Sequence, residues 1–416
     1  MNLNEATPAR FAVSVPRSGR LLLSLLARLR HGRLNLAVPG GQTFSFAGDL
    51  PGPDATIYLG DWQVFDEVRR SGDVGFAEAY LDERWQTPDL GALLELIAIN
   101  RAVLERLLYG KWWGRLYYRL RHLRRANTRE GARKNIYSHY DLGNAFYRSW
   151  LDETMTYSAA LFEGDQGRTL EQAQIAKYER ILQRLGVCAN DHVLEIGCGW
   201  GGFAEYAART RGCRVHGITL SPAQLEFARQ RIREAGLSPL VEFSLTDYRD
   251  VQGSFDYVVS IEMFEAVGER FWPAYFSVVR DRLKRGGSAV VQTITIADEL
   301  FAQYRKSTDF IQQYIFPGGM LPSPSVFRKL AGRAGLTLRS EHCFGIDYAE
   351  TLKCWRGRYR KANNKLRALG FDARFERLWN FYLVYCEAGF RAASTDVMQW
   401  ELHREMGSRC CCSSRC

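Results

Sequence analysis

The chain has 416 residues, 46% of them hydrophobic and 13% aromatic, with a formal net charge of +10. Such a length and apolar content support two domains and a large core, and exclude a disordered chain. The longest apolar run near the start, Leu21 to Ala27, is far short of the roughly 20 residues that span a bilayer, and no small-residue cleavage site follows it, so a soluble, cytoplasmic protein is expected.

The first hundred residues mix signals. Ser18 to Arg30 reads as an amphipathic helix, Gln42 to Phe46 and Ala55 to Leu59 alternate like strands, and Asp61 to Ser71 and Asp89 to Leu108 repeat like helices. No cluster of nucleophiles or metal ligands occurs among them. A small α+β domain over residues 1–125 is the expectation.

The excess charge is concentrated at the end of that domain. Between Arg101 and Lys134 stand eleven Lys or Arg against Glu105 and Glu130, which leaves the rest of the chain almost neutral. Trp112, Trp113, Tyr117 and Tyr118 interleave with the arginines. Amphipathic rings beside cations suit an anionic phospholipid surface, a solvated interdomain helix is the competing reading, and nucleic acid is a lesser third.

After a polar break come Lys134 to Tyr147 and Thr154 to Phe162, whose aromatic and small polar residues are placed to close over a ligand as a lid. From Val193 the chain alternates: strand Val193–Ile196, helix Gly202–Thr210, strand Val215–Thr219, helix Ala223–Ala235, strands Val241–Leu245 and Tyr257–Ile261, helix Phe271–Leu283, strand Ala289–Ile296. Alternation of this kind predicts a parallel sheet with helices on both faces and a ligand at the strand C-termini. A site is therefore expected from Gly197–Gly201, Thr219–Gln224, Asp247–Arg249, Glu262–Gly268 and Gln292–Ile294.

The turn after the first of these strands, Glu195-Ile-Gly-Cys-Gly-Trp-Gly201, lets the backbone bend sharply and bring bare peptide groups against a nucleotide. Its Gly-x-Gly-x-Gly spacing differs from the dinucleotide Gly-x-Gly-x-x-Gly. The second strand also ends without the acid that would hold a ribose, offering Thr219, Ser221 and Gln224 instead. The pattern favours S-adenosylmethionine over NAD, with a purely structural glycine turn as the other reading. Of ten cysteines, six are scattered and four crowd Cys410 to Cys416, which suggests buried thiols and a disordered tail over 403–416, with no metal site.

Several ordered motifs then resemble one family. His139-Tyr-Asp-Leu-Gly-Asn144, Met155-Thr-Tyr-Ser158, Leu194 to Gly202, Thr219-Leu-Ser-Pro-Ala-Gln224, Met263-Phe-Glu-Ala-Val-Gly268, Tyr314-Ile-Phe-Pro-Gly-Gly319 and Phe344-Gly-Ile-Asp-Tyr348 are similar to those of the cyclopropane-fatty-acyl-phospholipid and mycolic acid cyclopropane synthases. The resemblance implies a Rossmann-like class I methyltransferase domain over 126–402. It also implies a reaction in which S-adenosylmethionine methylates the cis double bond of an unsaturated phospholipid acyl chain. A cyclopropane is the expected product, and a methyl-branched, still unsaturated chain the alternative.

Cofactor positions implied by the resemblance are Tyr157, Ser158, Gly197, Gly199, Gly201, Thr219, Leu220, Gln224, Tyr248 and Arg249, with Cys198 inside the same turn. A bicarbonate ion is implied too, held by Glu265, Tyr348 and the backbone of Ile294. Ala159 and Gln292 stand where the family has Cys and His. The enzyme is expected at the inner face of the membrane as a peripheral protein, bound to an anionic surface, with a homodimer left open.

The chemistry asks for a dry pocket, because water would capture the cation left when an olefin takes a methyl group. Phe264, Phe316, Tyr348 and Trp355 are candidate π faces around that cation, and Glu265 its candidate counter-charge. A nucleic-acid methyltransferase is the rival class. The Asn/Asp-Pro-Pro-Tyr of amine methylases is missing, its place held by Ile261-Glu-Met-Phe-Glu-Ala-Val267, so no nucleic acid is expected. A lipid-binding protein without turnover is the third reading.

Overall fold

The computed structural model describes residues 15–108, 142–165 and 167–406. The aromatic part of the basic band, residues 134–141 of the expected lid, the boundary at 125/126 and the Cys-rich end lie outside the described residues. Two compact units are present, one drawn from residues 1–117 with 377–381 and the other from 118–376 with 382–416.

The first unit holds strands β1 (His31–Ala37), β2 (Thr43–Ala47), β3 (Leu50–Leu59) and β4 (Trp85–Gln86), in the order β2-β1-β3-β4. Alternation sets the faces, as Ala55, Ile57 and Leu59 of β3 are buried while the residues between them are not. The helix expected to run to Arg30 covers Arg17–Leu26, and the chain turns into β1 instead. The helix expected over Asp89–Leu108 breaks into Leu90–Ile99 and Arg101–Leu108. Asn100 causes the break: its Oδ1 accepts from the N–H groups of Arg30 and His31, and its Nδ2 donates to the carbonyls of His31 and Leu96.

The second unit is built on β5 (His192–Ile196), β6 (Arg214–Thr219), β7 (Val241–Leu245), β8 (Phe255–Ile261), β9 (Leu283–Ile296), β10 (Thr337–Cys343) and β11 (Thr395–His403), ordered β10-β11-β9-β8-β5-β6-β7. The stretch from β7 to β9 is parallel throughout, whereas β11 runs antiparallel to both β9 and β10. Every strand and helix expected between Val193 and Ile296 is present, within a residue or two at most ends, although β9 starts six residues early. β11 continues to His403, and Arg404 donates to the carbonyls of Arg280 and Leu283, so these two residues of the span expected as tail are held by the second unit.

Successive residues on a strand point to opposite faces, and both faces here are covered. Leu194, Val258 and Val291 pack with the helices Trp272–Arg282 and Pro324–Arg333, while Val193, Val259 and Val290 pack with Leu170–Leu185, Gly202–Arg211 and Pro222–Glu234. The result is the expected α/β sheet with a cleft at the C-terminal ends of its parallel strands.

Candidate active site

The cleft begins at the glycine turn. Gly197, Gly199 and Gly201 take φ of 84°, 52° and 84°, a region that side chains rarely adopt, and a Cβ on Gly197 would also meet Met263 at 2.8 Å. The N–H groups of Gly197 and Cys198 both donate to the carbonyl of Ile218, which ties the turn to the end of β6. Gly201 faces the fold, where a Cβ would meet Phe243 and Ala228.

Around this turn the cleft is lined by Tyr157, Ser158, Gly197, Cys198, Gly199, Thr219, Leu220, Gln224 and Tyr248, nine of the eleven positions expected to bind the cofactor. Thr219 donates its hydroxyl to Gln224 Oε1, and Ser221 caps the helix that carries Gln224. Gly201 and Arg249 do not line the cleft. Arg249 pairs with buried Asp247, at 2.6 Å from Oδ2, and lies over the rings of Tyr248 and Phe271.

Ser158 is engaged from behind. Lys177, fully buried, donates to Ser158 Oγ and to Gln174 Oε1, each at 2.6 Å. Burial lowers the Lys177 pKa to about 7, against the opposing pull of Glu262, Asp152 and Glu195. Burial likewise pushes the Glu195 carboxyl, inside β5, up to about 8, opposed by the charge of Lys177.

Glu262, the first residue after β8, also lines the cleft. Its Oε1 accepts from the Ala159 N–H and from Gln292 Nε2, both at 2.8 Å, and its Oε2 accepts from the Tyr348 hydroxyl at 2.7 Å. The backbone φ of Glu262 is 50°, a left-handed conformation that costs a non-glycine residue about 1 kcal/mol or more. Strain of that size at a cleft-lining acid marks a position where the side chain matters.

Glu265, expected to hold an anion with Tyr348 and Ile294, closes on Ile294 directly: Oε1 accepts from the Ile294 N–H at 2.5 Å, while Oε2 is buried and unpartnered. Burial first, and the neighbouring charge of Glu262 second, push its pKa up to about 8. Burial raises that of Glu262 as well, opposed by Lys177, Tyr348, Ala159 and Gln292. The three donors and the Lys177 ammonium favour the charged form of Glu262, and the charge of Glu262 in turn disfavours that of Glu265.

The structure thus brings Tyr348, Gln292 and the Ala159 backbone together, and Glu265 with Ile294, but the first three meet on Glu262. Sequence reading had placed Glu262 in a strand-end segment without giving it a role. The available signal was an acid directly after a parallel strand that ends at the cleft. Of the expected π faces, Trp355 (5.3 Å between centroids) and Phe316 (6.4 Å) both pack with Tyr157, and Tyr348 packs edge-on to Trp355. Phe264 is not among them: it is fully buried in the core against Trp272, Tyr275 and Phe327.

Similarity to known proteins extends over both sequence and fold. The sequence pattern of the mycolic acid cyclopropane synthetase family matches residues 127–400. Tuberculostearic acid methyltransferase UfaA1 of Mycobacterium tuberculosis is 39% identical over 383 residues, 90% of this chain and 88% of that one. The cyclopropane-fatty-acyl-phospholipid synthase of Escherichia coli is 35% identical over 84% of this chain and 87% of its own length. Among solved structures, mycolic acid cyclopropane synthase CmaA1 complexed with SAH and CTAB superposes with a TM-score of 0.61 at 32% identity, covering 65% of this chain and 98% of that one.

Proposed function

Because this chain belongs to the mycolic acid cyclopropane synthetase family and is an S-adenosylmethionine-dependent methyltransferase, we propose that it methylates the cis double bond of an unsaturated acyl chain esterified in a membrane phospholipid. The observation that carries the reading is that one cleft joins two features: the glycine turn suited to the methyl donor and the Glu262 carboxyl share its lining with Tyr157, whose ring packs with Trp355 and Phe316. An olefin needs that combination, with orientation toward the donor, π faces for the cation and a carboxylate for its proton.

The residues that would hold S-adenosylmethionine, a substrate consumed in the transfer, are those lining the glycine-turn cleft, with Thr219 and Gln224 as side-chain hydrogen-bonding groups. A phospholipid substrate is supported by coverage. The Escherichia coli phospholipid synthase aligns over 84% of this chain, which reaches into the residues before 127, whereas cyclopropane mycolic acid synthase 1 of Mycobacterium tuberculosis aligns over 64%. No described helix is long and apolar enough to cross a membrane. We assign the basic band the task of meeting an anionic surface, peripherally and from the cytoplasmic side.

Ring closure to a cyclopropane is the product implied by the motifs. A methyl-branched, still unsaturated chain is a second reading, favoured by one observation: the relative that aligns over 90% of this chain is named for methyl transfer. Purified protein incubated with methyl-labelled S-adenosylmethionine and vesicles of unsaturated phospholipid, free fatty acid or RNA tests the proposal. Label in the phospholipid acyl chains is expected, and upfield methylene protons in the NMR spectrum identify a cyclopropane. Label only in RNA, or in no lipid, overturns the reading.

A further inference from the structure

We propose that the Glu262 carboxylate is the proton acceptor of the reaction, standing where the resemblance implied a bicarbonate ion. The inference rests on the olefin-methylation reading above. Three donors that a free anion would need, the Ala159 N–H, the Gln292 amide and the Tyr348 hydroxyl, all end on Glu262. The Ala159 N–H and the Tyr348 hydroxyl have one proton each to give, so neither can hold Glu262 and a second anion at full strength. A second anion would also be buried beside an existing carboxylate, which is unfavourable without a further cation. Bicarbonate does not fit this site.

The placement of Glu262 agrees with a working base. It lines the cleft together with Tyr157, Ser158, Gly197 and Met263. A carboxylate oxygen accepts about two hydrogen bonds. Oε1 already takes two, while Oε2 takes only that of Tyr348, so one lone pair of Oε2 is open to a proton. The left-handed backbone at this residue would be relaxed by glycine, and the chain nevertheless places a carboxylate there.

The step balances without another reagent. The π pair of the double bond forms a bond to the methyl carbon, the C–S bond breaks with its pair left on sulfur, and positive charge moves to the other olefinic carbon. Glu262 Oε2 takes a proton either from the transferred methyl, whose C–H pair closes a C–C bond to the cationic carbon and gives a cyclopropane, or from a carbon next to the cationic centre, whose C–H pair becomes a new C=C bond and gives a branched olefin. Glu262 returns its proton to water when the lipid leaves.

The test uses the full chain, vesicles of an unsaturated phosphatidylglycerol and buffer freed of carbonate. Wild-type turnover is expected to be indifferent to bicarbonate, and carbon-13 bicarbonate should give no binding signal by NMR. Glu262→Gln should lose at least about a hundredfold in turnover while S-adenosylhomocysteine affinity by calorimetry stays within about threefold. Glu262→Gly should bind carbon-13 bicarbonate and regain turnover when bicarbonate or formate is added. Bicarbonate binding to the wild type, a wild-type rate that falls on carbonate removal, or Glu262→Gln within tenfold of wild type would overturn the proposal. Should Glu262→Gln not fold, wild-type turnover by Glu262→Gly without added anion overturns it equally. A wild type that methylates no lipid sinks the olefin reading, while the binding comparison still judges whether Glu262 fills the anion position.

Discussion

Gln399 and Gln292 face each other across β11 and β9, and Nε2 of Gln399 donates to Oε1 of Gln292 at 3.0 Å. That bond decides which end of the Gln292 amide meets Glu262. With its oxygen engaged by Gln399, Gln292 must turn its NH2 toward the carboxylate, as it does at 2.8 Å. Gln399 is therefore a positioning residue for the proposed base.

Replacing Gln399 with glutamate should reverse the arrangement, since an ionised carboxylate can only accept and would draw the Gln292 NH2 away from Glu262. Losing a buried hydrogen bond to a charged group costs about 1.5–3 kcal/mol, which is roughly ten- to a hundredfold in rate. Gln399→Glu should lower kcat by that amount, with KM for S-adenosylmethionine little changed, and Gln399→Ala should do less. Equal effects of the two variants would show that Gln399 only fills space.

The buried Glu195 makes a second prediction, about stability and pH. It is 3% exposed, its Oε2 has no hydrogen-bond partner, and its pKa rises to about 8. A folded pKa above the unfolded value means that its contribution to stability is complete below the unfolded value of 4.5 and is lost as pH rises through about 8. Lys177 acts in the next window: lowered from 10.5 to about 7, it penalises the folded state at low pH and releases that penalty as pH rises from about 7 to 10.5. His192 and His342, both lowered by burial, pull against Glu195 below 6.5. A comparison with Glu195→Gln isolates the acid. Between about pH 6 and 8 the stability of the wild type in urea should fall relative to the variant, on the order of a few kcal/mol in total. A difference independent of pH would mean that Glu195 is ionised throughout.

The parts legible in the sequence were those with local causes. The glycine turn and the alternation of strand and helix from β5 to β9 follow from φ requirements and periodicity within a few residues. β10 was not anticipated because it is an edge strand in which no residue is fully buried, and its sequence Thr-Leu-Arg-Ser-Glu-His-Cys has little hydropathic contrast. β11 escaped for a different reason. It is buried yet carries Gln399, Glu401 and His403, whose partners Gln292, Arg184 and Ser288 come from elements more than a hundred residues away. Motif resemblance supplied Tyr348 and Glu265. It named Ile294, the partner of Glu265, but could not supply Glu262, because the Tyr348–Glu262 bond spans 86 residues and depends on how β8 meets the helix Gly345–Lys361.

The last prediction concerns the basic band, whose charge is a property of the sequence alone. Arg101 to Lys134 carries nearly all the chain's positive excess, and its Trp and Tyr residues suit the headgroup region of a bilayer. If the band meets an anionic leaflet, each basic residue near the surface contributes about 1 kcal/mol, and the attraction is screened over about 8 Å at physiological salt. Replacing Arg121, Arg124 and Arg125 together by Gln should therefore weaken co-sedimentation with phosphatidylglycerol vesicles by about 3 kcal/mol at most, on the order of a hundredfold. The salt dependence of binding should become shallower by the same change. Methyl transfer to a short, water-dispersed unsaturated lipid should be unaffected, since that substrate needs the cleft and Glu262 and not the surface. Co-sedimentation and salt dependence that match the wild type would leave the band as a helix between domains, and loss of activity on the dispersed lipid would place its effect in the catalytic unit.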